Sequence, residues 1–266
     1  EEEEEEGDTL LGPFMEDLAA VFERELLRKC LDPVDLAMLA RVSHSFEAAV
    51  AASGLPLAPR LLYVKDFVGS EARLAWAKAN GCPWNNTTCA HIARGGNLEV
   101  LKWARQEFCP WSEATCSEAA AGGHLDVLTW ARERGCPWDE FTCAYAATGG
   151  HLEVLKYARM HHCPWEEATC SNAAMGGHLE TLIWAREAGC PWDEEVSDNA
   201  SMGGHLHCLK WARENGCRWD EETVDNAAEN GHLEVLRYAL QHGCPMYNPR
   251  ANVGLDLAGD LLDYQR

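Results

Sequence analysis

Thirteen cysteines and eleven histidines supply this chain with thiol and imidazole groups, the side chains that bind soft metals or act as nucleophiles. Eleven tryptophans could stack on a ligand. Their spacing decides what they can do. Cys82, Cys109, Cys136, Cys163, Cys190, Cys217 and Cys244 recur every 27 residues, five of them inside an intact Cys-Pro-Trp. A second row, Cys89, Cys116, Cys143 and Cys170, keeps the same period, as do His124, His151, His178, His205 and His232. A metal centre needs several such groups to converge, and here equivalent groups are a full repeat apart with no Cys-x-x-Cys pair. The histidines read as structural groups that pack a turn and cap a helix. His161-His162-Cys163 is the single local cluster, and no metal is assigned to it.

Two rows of tryptophan share the period. Trp84, Trp111, Trp138, Trp165, Trp192 and Trp219 follow the prolines, and Trp76, Trp103, Trp130, Trp184 and Trp211 lie further on, with Tyr157 and Tyr238 in the same register. Regular recurrence is what packing predicts. A half-exposed aromatic row for a peptide is the other reading. No nucleophile elbow, phosphate loop or converging acid–base pair is present, and the carboxylates recur as a translated row. Hence no catalytic residue and no cofactor is expected, and the chain reads as no enzyme.

A fixed period of this length means stacked units that bury their apolar faces on one another. In residues 136–162, Pro137 ends the preceding element and Asp139 is placed to cap a short helix, here called helix A. Trp138 and Cys143 then have hydrophobic-staple spacing. Cys143, Ala146 and Ala147 share one face, small enough for close helix contact. Gly149-Gly150 reverses the chain, and His151 opens helix B. Leu152, Val154, Leu155, Tyr157 and Ala158 make helix B so broadly apolar that it reads as the inner member of the stack. The cap position holds Asn85, Ser112, Asp139, Glu166, Asp193 and Asp220.

Stacked helices lie about 8–10 Å apart, whereas a disulfide needs Cα atoms about 4.4–6.8 Å apart. Equivalent cysteines therefore cannot bridge along the stack. They read as small buried apolar groups in a reducing compartment, with a cross-pair such as Cys136 and Cys143 left open.

Of 266 residues 47% are apolar, enough for a continuous core. The net charge of −21 argues against nucleic acid or anionic membrane as partner. No run of about 18 apolar residues is present and no secretory leader opens the sequence, so no membrane span is expected and the location is read as intracellular, cytoplasmic and/or nuclear. Residues 1–10 read as an acidic disordered tail, 11–56 as a helical module, 57–84 as a degenerate capping repeat, 85–246 as six repeats and 247–266 as a terminal cap.

The strings GGHLEVLKYAR, GGNLEVLKWAR and NGHLEVLRYAL resemble the second half of an ankyrin repeat, and TCAYAATGGH resembles its first helix. The period is 27 rather than 33, so most of the ankyrin hairpin is missing. The resemblance implies an all-α, right-handed-type solenoid of helix-turn-helix repeats, monomeric and built for protein binding. Residues 26–46, LLRKCLDPVDLAMLARVSHSF, resemble the centre of an F-box. That resemblance implies that Leu31, Pro33, Leu36, Leu39, Val42 and Phe46 dock on a Skp-type adaptor, making the chain a substrate receptor of a cullin–RING ubiquitin ligase. The other reading of the same residues is a plain helical cap.

The opposite stripe of helix A, positions 141, 144, 145 and 148 and their equivalents, differs between copies. It is the candidate recognition surface, represented by His91, Arg94, Glu118, Phe141, Tyr145, Asn172, Met175, Glu195, Asp198, Met202 and Asp225. Its character runs from mixed through aromatic to acidic. A protein segment with an apolar anchor and a basic flank would complement it.

Overall fold

The computed structural model describes residues 68–79 and 82–246, and all regular structure among them is helical. The six positions of the F-box-like segment, the acidic tail and the 247–266 cap lie outside the described residues. The chain divides into two compact units. Helix α1 (Glu71–Ala79) supplies most of the described part of the first, and its Leu74 and Ala77 are buried.

Among the described residues the second unit holds six helix pairs. The A helices are α2 (Asn86–Arg94), α4 (Glu113–Ala121), α6 (Glu140–Thr148), α8 (Glu167–Met175), α10 (Glu195–Met202) and α12 (Glu221–Glu229). The B helices are α3 (Leu98–Gln106), α5 (Leu125–Glu133), α7 (Leu152–Met160), α9 (Leu179–Glu187), α11 (Leu206–Glu214) and α13 (Leu233–Gln241). Helices of eight or nine residues are too short to stand alone in water, so each depends on its neighbours. The result is an all-helical solenoid of stacked 27-residue helix pairs, with no strand among the described residues.

The A helices, not the B helices, form the inner layer. Each A helix lies along the next over most of its length, while successive B helices touch at few points. The cause is side-chain size. The A contacts are made by Thr, Cys, Ala and Ser, all buried, which lets the backbones approach. The B helices carry Trp or Tyr, which hold them apart. Each B helix closes the core with one leucine, Leu101, Leu128, Leu155, Leu182 and Leu209 being fully buried. Burying a leucine stabilises by about 1.5–3 kcal/mol.

Two details of the turns differ from the sequence reading. Asn85 caps α2 with a reciprocal box, and Asp220 accepts from Glu222 N–H at 2.9 Å, but Ser112, Asp139 and Glu166 make no side-chain cap bond. Asp193 accepts from Glu195 N–H at 3.2 Å, while Glu194 occupies the cap position of α10. The histidines at the start of the B helices do not cap them either. Nε2 of His124, His151, His178 and His232 instead donates to the carbonyls of Arg94, Ala121, Thr148 and Met202, one repeat back, at 3.0–3.2 Å.

The glycine pair makes room for that clamp. Gly150 is left-handed, at φ 68°. A Cβ on it would collide with the His178 ring, and a Cβ on Gly149 with the His151 ring. Glycine is needed here for space as well as for conformation. His205 keeps the same place with a neighbour, as His207 donates to Gly177 O at 2.9 Å and its ring lies 5.9 Å from His205. Burial, then the His207 charge, holds His205 below the usual imidazole range.

Candidate functional site

The repeat presents two faces that could meet a partner, and they are built differently. On helix A the four stripe positions separate into one that is covered and three that are open. The covered one is the 144 position. Ala90, Ser117, Ala144 and Ser171 are buried there beneath the next helix, and Asp198, read from sequence as outward, is only 6% exposed. Asp225 occupies the same position in α12, where no further described repeat covers it, and is exposed.

Asp198 is the one buried charged group in this small-residue file. It accepts from Thr223 Oγ1 at 2.5 Å, but burial, with Asp220, Glu222 and Glu194 adding repulsion, raises its pKa to about 6.

The remaining positions form the open stripe. Phe141 is 51% exposed, Met175 42%, and Tyr145 and Met202 37% each, giving a run of large apolar side chains across three successive A helices. Phe141 and Tyr145 stack at 6.0 Å. On the α2 side, exposed Arg94 bonds Glu118 at 2.6 Å, and His91 is half-buried beside it. Asn172 is half-buried between the apolar groups. On the α12 side, Glu195, Glu222, Asp225 and Glu229 are all exposed. The described stripe thus holds the recognition-surface residues named from sequence on its open side, Asp198 excepted. It can supply apolar contact and negative charge, and it holds no converging catalytic groups.

The B face carries a second construction that sequence reasoning missed. In four of the five Cys-Pro-Trp repeats the tryptophan lies edge-on against the tryptophan of its own helix B. Trp84–Trp103, Trp111–Trp130, Trp165–Trp184 and Trp192–Trp211 have centroids 5.7–6.1 Å apart. Over the tryptophan lies the guanidinium of the preceding repeat. Arg105, Arg132, Arg159, Arg186 and Arg213 sit 4.0–4.4 Å from the rings of Trp111, Trp138, Trp165, Trp192 and Trp219.

The same arginines donate to the carbonyl of the cysteine that follows their helix, Arg186 to Cys190 O at 3.2 Å and Arg105 to Cys109 O among them. The signal was present in sequence as an arginine always six residues before the next Trp, from Arg105 to Trp111 onward. Only the fold shows that six residues of turn bring them face to face.

The thiols are inward. All twelve described cysteines are free, and eleven are buried. The open pairing of Cys136 with Cys143 does not form. Cys143 neighbours Cys163 and Cys116 neighbours Cys136, each pair joining adjacent repeats. The thiol of each later Cys-Pro-Trp donates to the backbone of the preceding cap residue, Cys136 to Ser112 O at 3.4 Å. Hydrogen bonding and burial push the Cys143 thiol far up, so it stays protonated. Among the described residues no group of three or more His, Cys, Asp or Glu is placed to hold a metal. None of the described helices is long and apolar enough to cross a membrane.

No family model matches the chain, and no curated protein matches it. Among solved structures it is similar to the human ASB11 ankyrin repeat domain, at 16% identity and a TM-score of 0.47, over 62% of this chain and 86% of that one.

Proposed function

We propose that this chain is a non-catalytic protein-interaction module whose partner lies along the helix A stripe. One observation carries the proposal. The packing positions of helix A hardly vary between repeats, while the open positions change from Arg94 and Glu118 through Phe141, Tyr145, Met175 and Met202 to Glu195 and Asp225. Contiguous exposed apolar groups of this size mark interaction sites. The partner is a protein segment with an apolar anchor for Phe141 and Tyr145 and basic residues for the acidic end.

The finer proposal is that the partner is a substrate, presented to a cullin–RING ubiquitin ligase. Leu31, Pro33, Leu36, Leu39, Val42 and Phe46 would then hold a Skp-type adaptor. It rests on the F-box-like sequence alone. The adaptor half is tested by co-purifying full-length chain with a purified Skp-type adaptor. Binding that Leu36→Asp abolishes, with helicity retained, supports it. A folded chain that takes up no adaptor reduces the molecule to a scaffold. The stripe is tested by affinity capture with the repeat array and with a Tyr145→Ala, Met175→Ala array. A protein retained by the first and lost by the second supports the surface. Equal recovery by both moves the binding elsewhere.

A further inference from the structure

The B face offers a second binding site, independent of the helix A stripe. Between successive repeats, the Arg–Trp stacks leave open grooves. One, of about 360 Å³, is lined by Lys102, Arg105, Trp111, Trp130 and Arg134. Another, of about 430 Å³ and two repeats on, is lined by Lys156, Arg159, Met160, Trp165 and Trp184. The aromatic walls are half-exposed. We propose that these grooves bind an acidic, proline-rich segment in the polyproline II conformation, one turn per repeat.

Three observations support this occupant. The first is charge. In a chain of net charge −21, every described Lys and Arg of the repeat unit except Arg94 and Arg218 lies on a B helix or at its end. The face is therefore the least acidic surface of the stack. Lys102 bonds Glu99 at 2.6 Å and Lys156 bonds Glu153 at 2.8 Å, which leaves each ammonium two further N–H donors for a carboxylate.

The second is shape. Half-exposed tryptophans wall both grooves, one face of Trp111 and of Trp165 being taken by Arg105 and Arg159, and aromatic-lined grooves are the surfaces that read polyproline segments. The third is pitch. Stacked helices repeat every ~8–10 Å, and a polyproline II helix advances about 9.3 Å per three-residue turn. The two lysine-bearing grooves are then roughly 16–20 Å apart, close to six residues of such a peptide at about 19 Å. Single-stranded nucleic acid also stacks on aromatics and pairs with cations, but each phosphate adds repulsion from the acidic body.

The probe is a fluorescein-labelled peptide of three Glu-Ala-Pro-Ala-Ala-Pro units, titrated with the full chain by fluorescence anisotropy. Saturable binding is expected. It should weaken about fivefold to twentyfold with Lys102→Gln and Lys156→Gln together, whose melting temperature is checked to lie near that of the parent. It should also be lost when the peptide's prolines are replaced by glycine. A Glu→Gln peptide should bind more weakly and with little salt dependence. No saturable binding overturns the proposal, as does binding unaffected by the double variant. Oligothymidylate bound more tightly than the peptide overturns it in favour of a nucleic-acid site.

Discussion

The two faces of the stack diverge in opposite ways. On helix A the buried positions repeat and the exposed ones vary. On helix B the exposed positions repeat as well, tryptophan and arginine recurring where solvent would tolerate anything polar. Variation on an exposed stripe gives each repeat a different contact, suited to one partner in one register. Repetition on an exposed face has two uses, to lock repeat to repeat and to present the same contact at a fixed interval. Substitutions on B should therefore cost stability, and those on the A stripe should cost binding.

The largest effect is expected at the histidine clamp that ties the start of each helix B to the repeat before it. Gly150→Ala places a Cβ against the His178 ring at a left-handed residue, whereas Gly135, also left-handed at φ 79°, has nothing near its would-be Cβ. Gly135→Ala should lose about 1 kcal/mol of stability to left-handed strain, and Gly150→Ala about 3 kcal/mol or more, because the clamp is displaced too. Urea denaturation of both variants measures the difference. Equal losses would mean that the clamp contributes nothing. Trp130→Ala should also cost about 3 kcal/mol, since it removes a T-shaped pair with Trp111 and the Arg134 contact at 4.6 Å.

Next is Asp198, where the A layer departs from its own rule. The folded carboxyl has its pKa raised to about 6, above its unfolded value, so folding takes up a proton between those two pH values. Stability at this site therefore falls as pH rises from about 4 to about 6, and above that the full penalty of a buried charge remains. Asp198→Ser, which restores the residue type of Ser117 and Ser171, should stabilise by about 2 kcal/mol at pH 7.5. Melting curves across the range should show the gain vanish near pH 4. A gain independent of pH would point to packing instead.

How much of this was legible follows from what each signal depends on. Period, helix pairs, glycine turns and buried cysteines depend on local spacing, and the sequence displays them. Inner and outer layers were read the wrong way round because helix B is the more apolar of the two. Close packing selects for smallness rather than hydrophobicity, so Cys143, Ala146 and Ala147 mark the true interior. Asp198 was placed outside with the whole 144 file by helix register, though the small residues of that file, Ala90, Ser117, Ala144 and Ser171, are those of a covered position. The Arg–Trp stacks were missed since Arg105 and Trp111 belong to different repeats and meet only through the turn.

A smaller gain tests whether repetition on the B side is itself optimal. The turn after each helix B has a left-handed glycine in Gly135, Gly189, Gly216 and Gly243, but Phe108 and His162 hold that conformation at φ 60° and 64°. Both side chains are exposed, Phe108 at 89%, so little packing offsets the strain. Phe108→Gly and His162→Gly should each stabilise by about 0.5–1 kcal/mol, the left-handed strain less the entropy that glycine adds to the unfolded chain. A loss on thermal melting would show that these side chains hold the turn.

The smallest stability effect is expected at Tyr145, and it bears most directly on the comparison. Its ring is 37% exposed and its one aromatic neighbour, Phe141, is more open still. Tyr145→Ala removes surface that is already wet, creates no cavity and leaves Ala144, Ala146 and Ala147 packed. The denaturation midpoint should move by the equivalent of about 0.5 kcal/mol, a sixth of the effect at Trp130. Partner affinity, if the stripe is a recognition surface, should fall at least about tenfold, as truncating a central aromatic anchor does. A large stability loss would make Tyr145 part of the core and remove the distinction between the faces. Unchanged affinity with unchanged stability would leave the stripe merely solvated, and the repeated face would then be the only one with a reason to be what it is.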